Sequence, residues 1–368
     1  MRRRTFLLSG VGGVAAVQAA RAAPLQWGAP SGSGRGIRLG YDSWTLNGYG
    51  WTAIQYLDYA ARQRLDAVQL SDLFNYESDG PAYLQRVKDH AEQLGIQIDG
   101  GFGCICPSAG NWKKENGDPV AYVRKGLRVN HAAGARMMRA YLGGRAERTG
   151  AVPLEKHIEN TVALLKAVRS EALDLGLKIG IETHGDLQAW EVRELIEQAG
   201  KDFVGATIDT GNPVTLAEDP MVTLETLAPY ALTTHVRDSV VFEHPRGAVT
   251  QWVALGEGSI DYVRFFERFR QLCPQVAVQL EILTGGPPQV LPYLEPDYWK
   301  AFPKARAWEL ARFVALARQG HPFMGSMVMR GREMRPEEYA AALKEQQRID
   351  LERSIEYAKN VLKLGLRA

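Results

Sequence analysis

Lys178-Ile-Gly-Ile-Glu182, Gly205-Ala-Thr-Ile-Asp209, Ala231-Leu-Thr-Thr-His235 and Val276-Ala-Val-Gln-Leu-Glu281 are four short apolar runs, each ending on a residue able to ligate a metal. Glu182, Asp209 and His235 follow one another at intervals of 27 and 26 residues, and 46 residues separate His235 from Glu281. The shorter interval fits one strand, one helix and two turns; the longer one adds a loop. Parallel strands that alternate with helices and end on polar side chains are how a closed β/α barrel builds a site at its C-terminal face. Two glutamates, one aspartate and one histidine suit Mn²⁺, Mg²⁺, Co²⁺ or Zn²⁺.

The same rhythm extends toward the N-terminus. Ile37-Arg-Leu-Gly-Tyr41, Ala67-Val-Gln-Leu70, Ile96-Gln-Ile-Asp99 and Met137-Met-Arg-Ala-Tyr141 read as strands one to four, with amphipathic helices between them. A helix over Pro153 to Gly176 has proline at its start and glycine at its end, as helix termini prefer. Later helices are expected near Trp190–Gly200, Asp219–Ala228 and Ile260–Leu272, and one from Lys304 to Gln319 closes the eighth unit. Eight alternations predict an α/β fold, a (β/α)8 TIM barrel over residues 37–320. An open sheet binding a dinucleotide would need a phosphate-binding glycine turn after strand one, and Leu39-Gly-Tyr-Asp42 supplies none. Residues 321–368 are expected to be a C-terminal helical extension, with Ile355, Ala358, Val361 and Leu362 as its apolar stripe. That stripe suits either packing on the barrel exterior or a contact in a homo-oligomer.

Residues 1–23 read as an export signal: Arg3-Arg4-x-Phe6-Leu7 is a twin-arginine pattern, Leu7 to Ala20 is mildly apolar, and Ala20-Arg-Ala22 offers a cleavage site. The apolar stretch is too short for a membrane anchor. Residues 24–36 are rich in Gly, Pro and Ser and read as a tether. This start places the mature protein in the periplasm, delivered folded. Over 368 residues the net charge is +2, and three of the 44 basic residues lie in the first four positions, so no basic face for nucleic acid is expected. Cys104, Cys106 and Cys273 read as free thiols, because a bridge between residues two apart is strained.

Taken with Ile181-Glu-x-His184, Ile208-Asp-Thr-Gly-Asn212, Thr234-His-Val-Arg-Asp238 and Ala254-Leu-Gly-Glu-Gly258, the four strand ends resemble the xylose isomerase-like TIM barrel superfamily of sugar isomerases and epimerases. The resemblance covers roughly residues 37 to 320 and implies one catalytic divalent ion held by Glu182, Asp209, His235 and Glu281. Mn²⁺ is the expected ion, with Mg²⁺, Co²⁺ or Zn²⁺ as alternatives. It also implies that Glu182 and Glu281 act as paired bases on opposite faces of an enediolate. His184, two residues beyond Glu182, is a candidate for substrate binding or for orienting a ligand. Asn212 stands where several sugar epimerases carry histidine, which puts the substrate hydroxyl contacts in doubt. Arg237 is a candidate for a substrate oxygen, or else pairs with Asp238; Glu257 is expected to cap the seventh helix. Tyr41, Trp44, Phe102, Trp112 and Trp252 fall at or beyond strand ends, where rings stack on sugars, with Tyr41 and Trp112 as substrate-binding candidates.

Two reactions start from this chemistry on a small carbohydrate. One is isomerisation or epimerisation by proton abstraction next to a carbonyl; the other is β-elimination by a lyase acting on a keto-sugar or 3-keto-glycoside. A silent sugar-binding protein is disfavoured by intact Glu182 and Glu281. A DNA-repair endonuclease of this fold would need more ligands than seven histidines and the carboxylates here arrange, together with a basic face.

Overall fold

The computed structural model describes residues 36–330 and 337–367. The expected signal peptide, and the tether except Gly36, lie outside the described residues. Eight parallel strands run in the order β10 (Val278–Leu280), β1 (Leu39–Asp42), β2 (Ala67–Leu70), β3 (Gln97–Cys104), β4 (Met137–Tyr141), β5 (Lys178–Glu182), β6 (Val204–Asp209) and β7 (Ala231–His235). Closure comes from Val236, whose N–H donates to Gln279 O at 2.8 Å and whose carbonyl accepts from Glu281 N–H at 3.0 Å. The sheet is therefore a nearly closed barrel, bridged at Val236 between β7 and β10 and wrapped by helices.

Helices form where sequence puts an apolar stripe behind a cap. In α7 (Tyr262–Leu272), the Asp261 carboxylate accepts the Arg264 N–H at 3.0 Å, satisfying a donor that the helix cannot. Tyr262, Phe265, Phe266 and Phe269 then fall at helical spacing on one buried face. Each stabilises by roughly 1.5–3 kcal/mol on burial. Aspartates cap α3 (Pro119–Ala132) and α6 (Pro220–Leu227) likewise, α1 (Ala53–Arg62) and α5 (Ala189–Ala199) start on capping boxes, and α2 (Pro81–Leu94) and α4 (Leu154–Asp174) start at a proline instead of a side-chain cap.

Two departures from the sequence reading shape the mouth of the barrel. The long step between His235 and Glu281 is not a plain loop. It holds the hairpin β8 (Asp238–His244) and β9 (Gly247–Val253), joined by an antiparallel third strand, β11 (Gln289–Leu291). The helix expected to close the eighth unit, α8 (Ala307–Gln319), packs on β8 instead: Phe313 and Ala317 join Val241, Ala248, Leu291 and Tyr293 in a satellite core. The place on the barrel wall goes to α9 (Glu337–Asn360), whose Leu351, Ile355 and Ala358, with Leu362 just beyond it, are buried in the main core. Val361, read as part of that stripe, is 49% exposed. Below α9 the chain is pinned to the barrel floor, where Gly365 N–H donates to Ile37 O at 2.8 Å. The three cysteines are free and buried. Among the described residues no helix is long and apolar enough to cross a membrane.

Candidate metal centre and active site

β6 and β7 lie in register so that Asp209 and His235 are direct neighbours across the strand pair. Glu182 ends β5 and Glu281 follows β10, so the four side chains converge from one half of the barrel. One donor atom from each lies within 4.8 Å of all the others. Glu182, Asp209 and His235 are fully buried and Glu281 is 5% exposed. His235 Nδ1 stands at the centre, 3.1 Å from Glu182 Oε1, 3.3 Å from Glu281 Oε2 and 4.0 Å from Asp209 Oδ2. Three carboxylates and one imidazole at this separation fit a hard divalent cation.

The surroundings aim each donor. Asp209 Oδ1 accepts the N–H groups of Gly211 and Asn212, both at 2.6 Å, which turns Oδ2 toward the cluster. Asn212 Nδ2 donates to Glu182 Oε1 at 3.2 Å and to Asp209 Oδ2 at 3.1 Å. Arg237 bonds Glu281 and lies 2.8 Å from Asp209 Oδ2. Its side chain passes so close to Gly211 that a Cβ there would sit 2.2 Å from Nε, which requires glycine in that turn. Tyr262 OH, at the start of α7, donates to Arg237 O at 2.6 Å and fixes the backbone beneath.

Several participants escaped the sequence reading. Arg139, 6% exposed on β4, pairs with Glu182 and lies 4.7 Å over the Tyr141 ring. Its signal was a charged residue in mid-strand, between Met138 and Ala140. Asp42 extends β1 one residue beyond the expected end; its Oδ2 is 3.5 Å from His235 Nε2 and has no hydrogen-bond partner. Gln69 Nε2 is 2.7 Å from the same imidazole nitrogen. Below it Thr233 Oγ1 donates to Asp99 Oδ2 at 2.8 Å, and Gln279 Nε2 donates to the same oxygen at 2.9 Å.

Burial and charge compete here. Burial alone would raise the Glu182 carboxyl, but Arg139 and His235 outweigh it and hold it well below its usual range. Glu281 behaves alike: burial opposes ionisation, His235 and Arg237 prevail, and its pKa falls to about 2. Asp209 goes the other way, to about 7, because burial and the two neighbouring glutamates outweigh Arg237. Burial disfavours the charged imidazole of His235, yet Glu281 and Glu182 push its pKa well above normal. So much negative charge buried around one point is what a divalent cation would neutralise.

A cavity of about 850 Å³ opens above the cluster, lined by Glu281, Arg139, Arg237, His184, Asn212 and Trp252 among others. His184 stacks on Tyr141 with ring centroids 3.9 Å apart and donates from Nδ1 to Gly143 O at 2.8 Å. Trp252, from the hairpin, donates to Gly211 O at 2.9 Å and carries Arg237 4.7 Å over its ring. A second cavity, about 390 Å³ between α4, α5 and residues 300–305, includes none of the four convergent residues.

Other candidates stand elsewhere. Tyr41 is fully buried on the outer side of β1 and donates to Tyr56 O at 2.9 Å, since alternation turns it outward when Asp42 points in. Trp112 packs edge-on against Tyr122 at 5.5 Å, and the cavity is lined by Tyr122 rather than by Trp112. Phe102 is core. Asp238 does not pair with Arg237; it accepts N–H groups from Ser239 at 2.7 Å and from Gly256 and Gly258 at 3.0 Å. A Cβ on Gly258 would lie 2.0 Å from Asp238 Oδ1, which accounts for the Gly-Glu-Gly run. Glu257 caps nothing and pairs with Arg353 of α9 at 2.6 Å.

A nearly closed parallel barrel with a buried carboxylate–imidazole cluster at its C-terminal face defines a candidate metal-dependent barrel enzyme. The chain belongs to the xylose isomerase-like TIM barrel family, whose model matches residues 46–295. It is 23% identical over 221 residues to the 3-oxo-isoapionate decarboxylase of Pectobacterium atrosepticum, covering 58% of this chain and 71% of that one. Among solved structures it is similar to a D-psicose 3-epimerase crystallised with D-fructose, at TM-score 0.57 and 14% identity over 89% of this chain and 99% of that one. It is also similar to the probable 3-DHS dehydratase AsbF of Bacillus anthracis, at TM-score 0.52 and 12% identity over 66% and 92%. These likenesses carry the fold, and the reactions named differ from one relative to the next.

Proposed function

We propose that this protein is a divalent-metal-dependent sugar isomerase or epimerase that removes a proton from the carbon next to a carbonyl. The observation that carries this reading is the convergence of Glu182, Asp209, His235 and Glu281 within 4.8 Å beneath an open cavity. These four residues would hold the ion, with Mn²⁺ the expected one. When bound, it supplies Lewis-acid polarisation of a carbonyl oxygen. Glu281 faces the cavity as an ionised carboxylate, which is the position and charge state that a proton acceptor needs. Glu182, whose Oε1 approaches the same His235 nitrogen as Glu281 Oε2, is the second base in this reading and would return a proton to the other face of the enediolate. Arg237 and Arg139 hold the two carboxylates in place, and Asn212 and His184 present polar atoms where substrate hydroxyls would lie.

One observation favours a second reading, a lyase acting by β-elimination on a keto-sugar or 3-keto-glycoside. Glu281 lines the cavity, whereas Glu182 is fully buried beside Asn212 and Arg139. A single accessible base suffices to start an elimination. The two are separated by offering ketoses and 3-keto-glycosides to the Mn²⁺-loaded protein in D₂O, then removing the metal and recording product NMR spectra. Deuterium beside the carbonyl with the skeleton intact supports isomerase or epimerase; release of an aglycone or an unsaturated ketone supports the lyase. The absence of both sinks the proton-abstraction chemistry. The twin-arginine start supports a periplasmic location, and activity that fractionates with the cytoplasm of an export-competent host would refute it.

A further inference from the structure

The turns after β1 and β2 put an aromatic pair on the cavity wall. Trp44 and Phe74 meet edge to face with centroids 6.0 Å apart, both line the cavity, and they are 40% and 63% exposed. Core aromatic pairs such as Tyr41 with Tyr59 or Phe265 with Phe269 are buried. Rings left open at the rim of a concave polar site mark a place where a ligand supplies the missing cover.

The pair is also held in position. Trp44 N–H donates to Asp42 Oδ1 at 2.7 Å and to Ser71 Oγ at 3.1 Å, while the other Asp42 oxygen reaches toward His235. On the adjoining turn Asp72 Oδ1 accepts the Leu73 N–H at 2.6 Å and fixes the segment that presents Phe74. One aspartate thus ties the aromatic platform to the donor cluster. The donors come from β5, β6, β7 and β10, and the platform from the β1 and β2 side of the mouth. The volume agrees with a ligand that spans both. About 850 Å³ lies in the upper part of the roughly 300–1,000 Å³ range of pockets that hold drug-sized molecules, and a free hexose has only a dozen non-hydrogen atoms.

We infer that the substrate is a two-ring glycoside, with the carbonyl-bearing sugar over Glu281 and a second ring seated on the Trp44–Phe74 platform. Sugar C–H faces and aryl aglycones both stack on such rings. This deepens the proposed function and rests on it for the placement of the first ring. Phe74 and Trp44 then set specificity and leave the proton transfer to the glutamates.

The test is saturation-transfer NMR and affinity measurement on the full-length, Mg²⁺-loaded protein with glucose, cellobiose and phenyl β-D-glucoside as probes. Both two-ring probes, or one of them, should bind at least tenfold tighter than glucose, with the strongest saturation on the second ring. Phe74→Ala should erase most of that advantage, and Phe74→Tyr should retain it; Phe74 is exposed, so neither change threatens the fold. Preference for cellobiose identifies a second sugar, and preference for phenyl glucoside an aryl aglycone. Equal affinity for all three probes, a uniform loss in Phe74→Ala, or no binding of the two-ring probes overturns the inference. Absence of deuterium exchange would instead defeat the proton-abstraction chemistry while leaving a binding preference in place.

Discussion

At the residue scale, the cluster depends on which oxygens and nitrogens face inward. Glu281 has the clearest proposed role, since it combines a place in the convergent cluster with access to the cavity. Glu281→Gln keeps shape and removes the proton acceptor, so turnover should fall by at least about 100-fold, the lower end of what a general base contributes. An unchanged circular dichroism spectrum would show that the fold is intact; near-normal turnover would remove Glu281 from the reaction. Gln69 tests the layer below. An imidazole that binds an ion through Nδ1 keeps its proton on Nε2, which then needs an acceptor, and the Gln69 amide oxygen reaches it by a half-turn of the amide. Gln69→Leu should weaken metal binding by roughly 10–100-fold in chelator competition, as losses of such partners do. The convergence of the four polar strand ends was legible in the sequence because each ends an apolar run. Asp42 was not, because strand one was read as stopping at Tyr41. That single residue of register also sent Tyr41 to the wrong side of the barrel wall.

At the element scale, the barrel strands announce themselves by apolar runs at regular intervals, and the helices by caps and stripes. The hairpin went unread although Val240-Val-Phe242 and Ala248-Val-Thr-Gln-Trp-Val253 are β-branched and aromatic runs around His244-Pro-Arg-Gly247. The spacing of strand ends had already accounted for that stretch as a loop. The eighth helix was misassigned for a physical reason: α8 and α9 both carry apolar stripes, and only tertiary packing decides which one covers β10. Deleting residues 331–368 should therefore expose the core surface that Leu351 and Ile355 cover and abolish cooperative thermal unfolding. An appendage would leave the melting curve nearly unchanged.

At the scale of the whole molecule, buried acids outside the cluster set how stability responds to pH. Glu218, almost fully buried, accepts the Ala189 N–H at 3.1 Å and the Thr223 hydroxyl at 2.5 Å, and burial raises its pKa to about 8 against these bonds. In the unfolded chain the same carboxyl releases its proton near pH ~4.3. Between those values the folded state retains a proton that the unfolded state has lost, so stability falls as pH rises and the full loss is reached above about 8. The penalty is at most on the order of 5 kcal/mol. Glu218→Gln should melt close to the parent near pH 4 and well above it at pH 9; parallel melting profiles would show that Glu218 is ionised in the fold.

The satellite sheet and α8 form a core of their own, apart from the one that holds the barrel. Cooperative units with separate cores open at different free energies. Amide hydrogens of β8 and β9 should accordingly exchange faster than those of β5 to β7. Trp252 rides on β9 while bonded to the turn after β6 and lying under Arg237. Opening of the hairpin would lift that ring off the guanidinium that steadies Asp209 and Glu281, so the order of the buried charges is tied to a layer whose packing lies outside the main core.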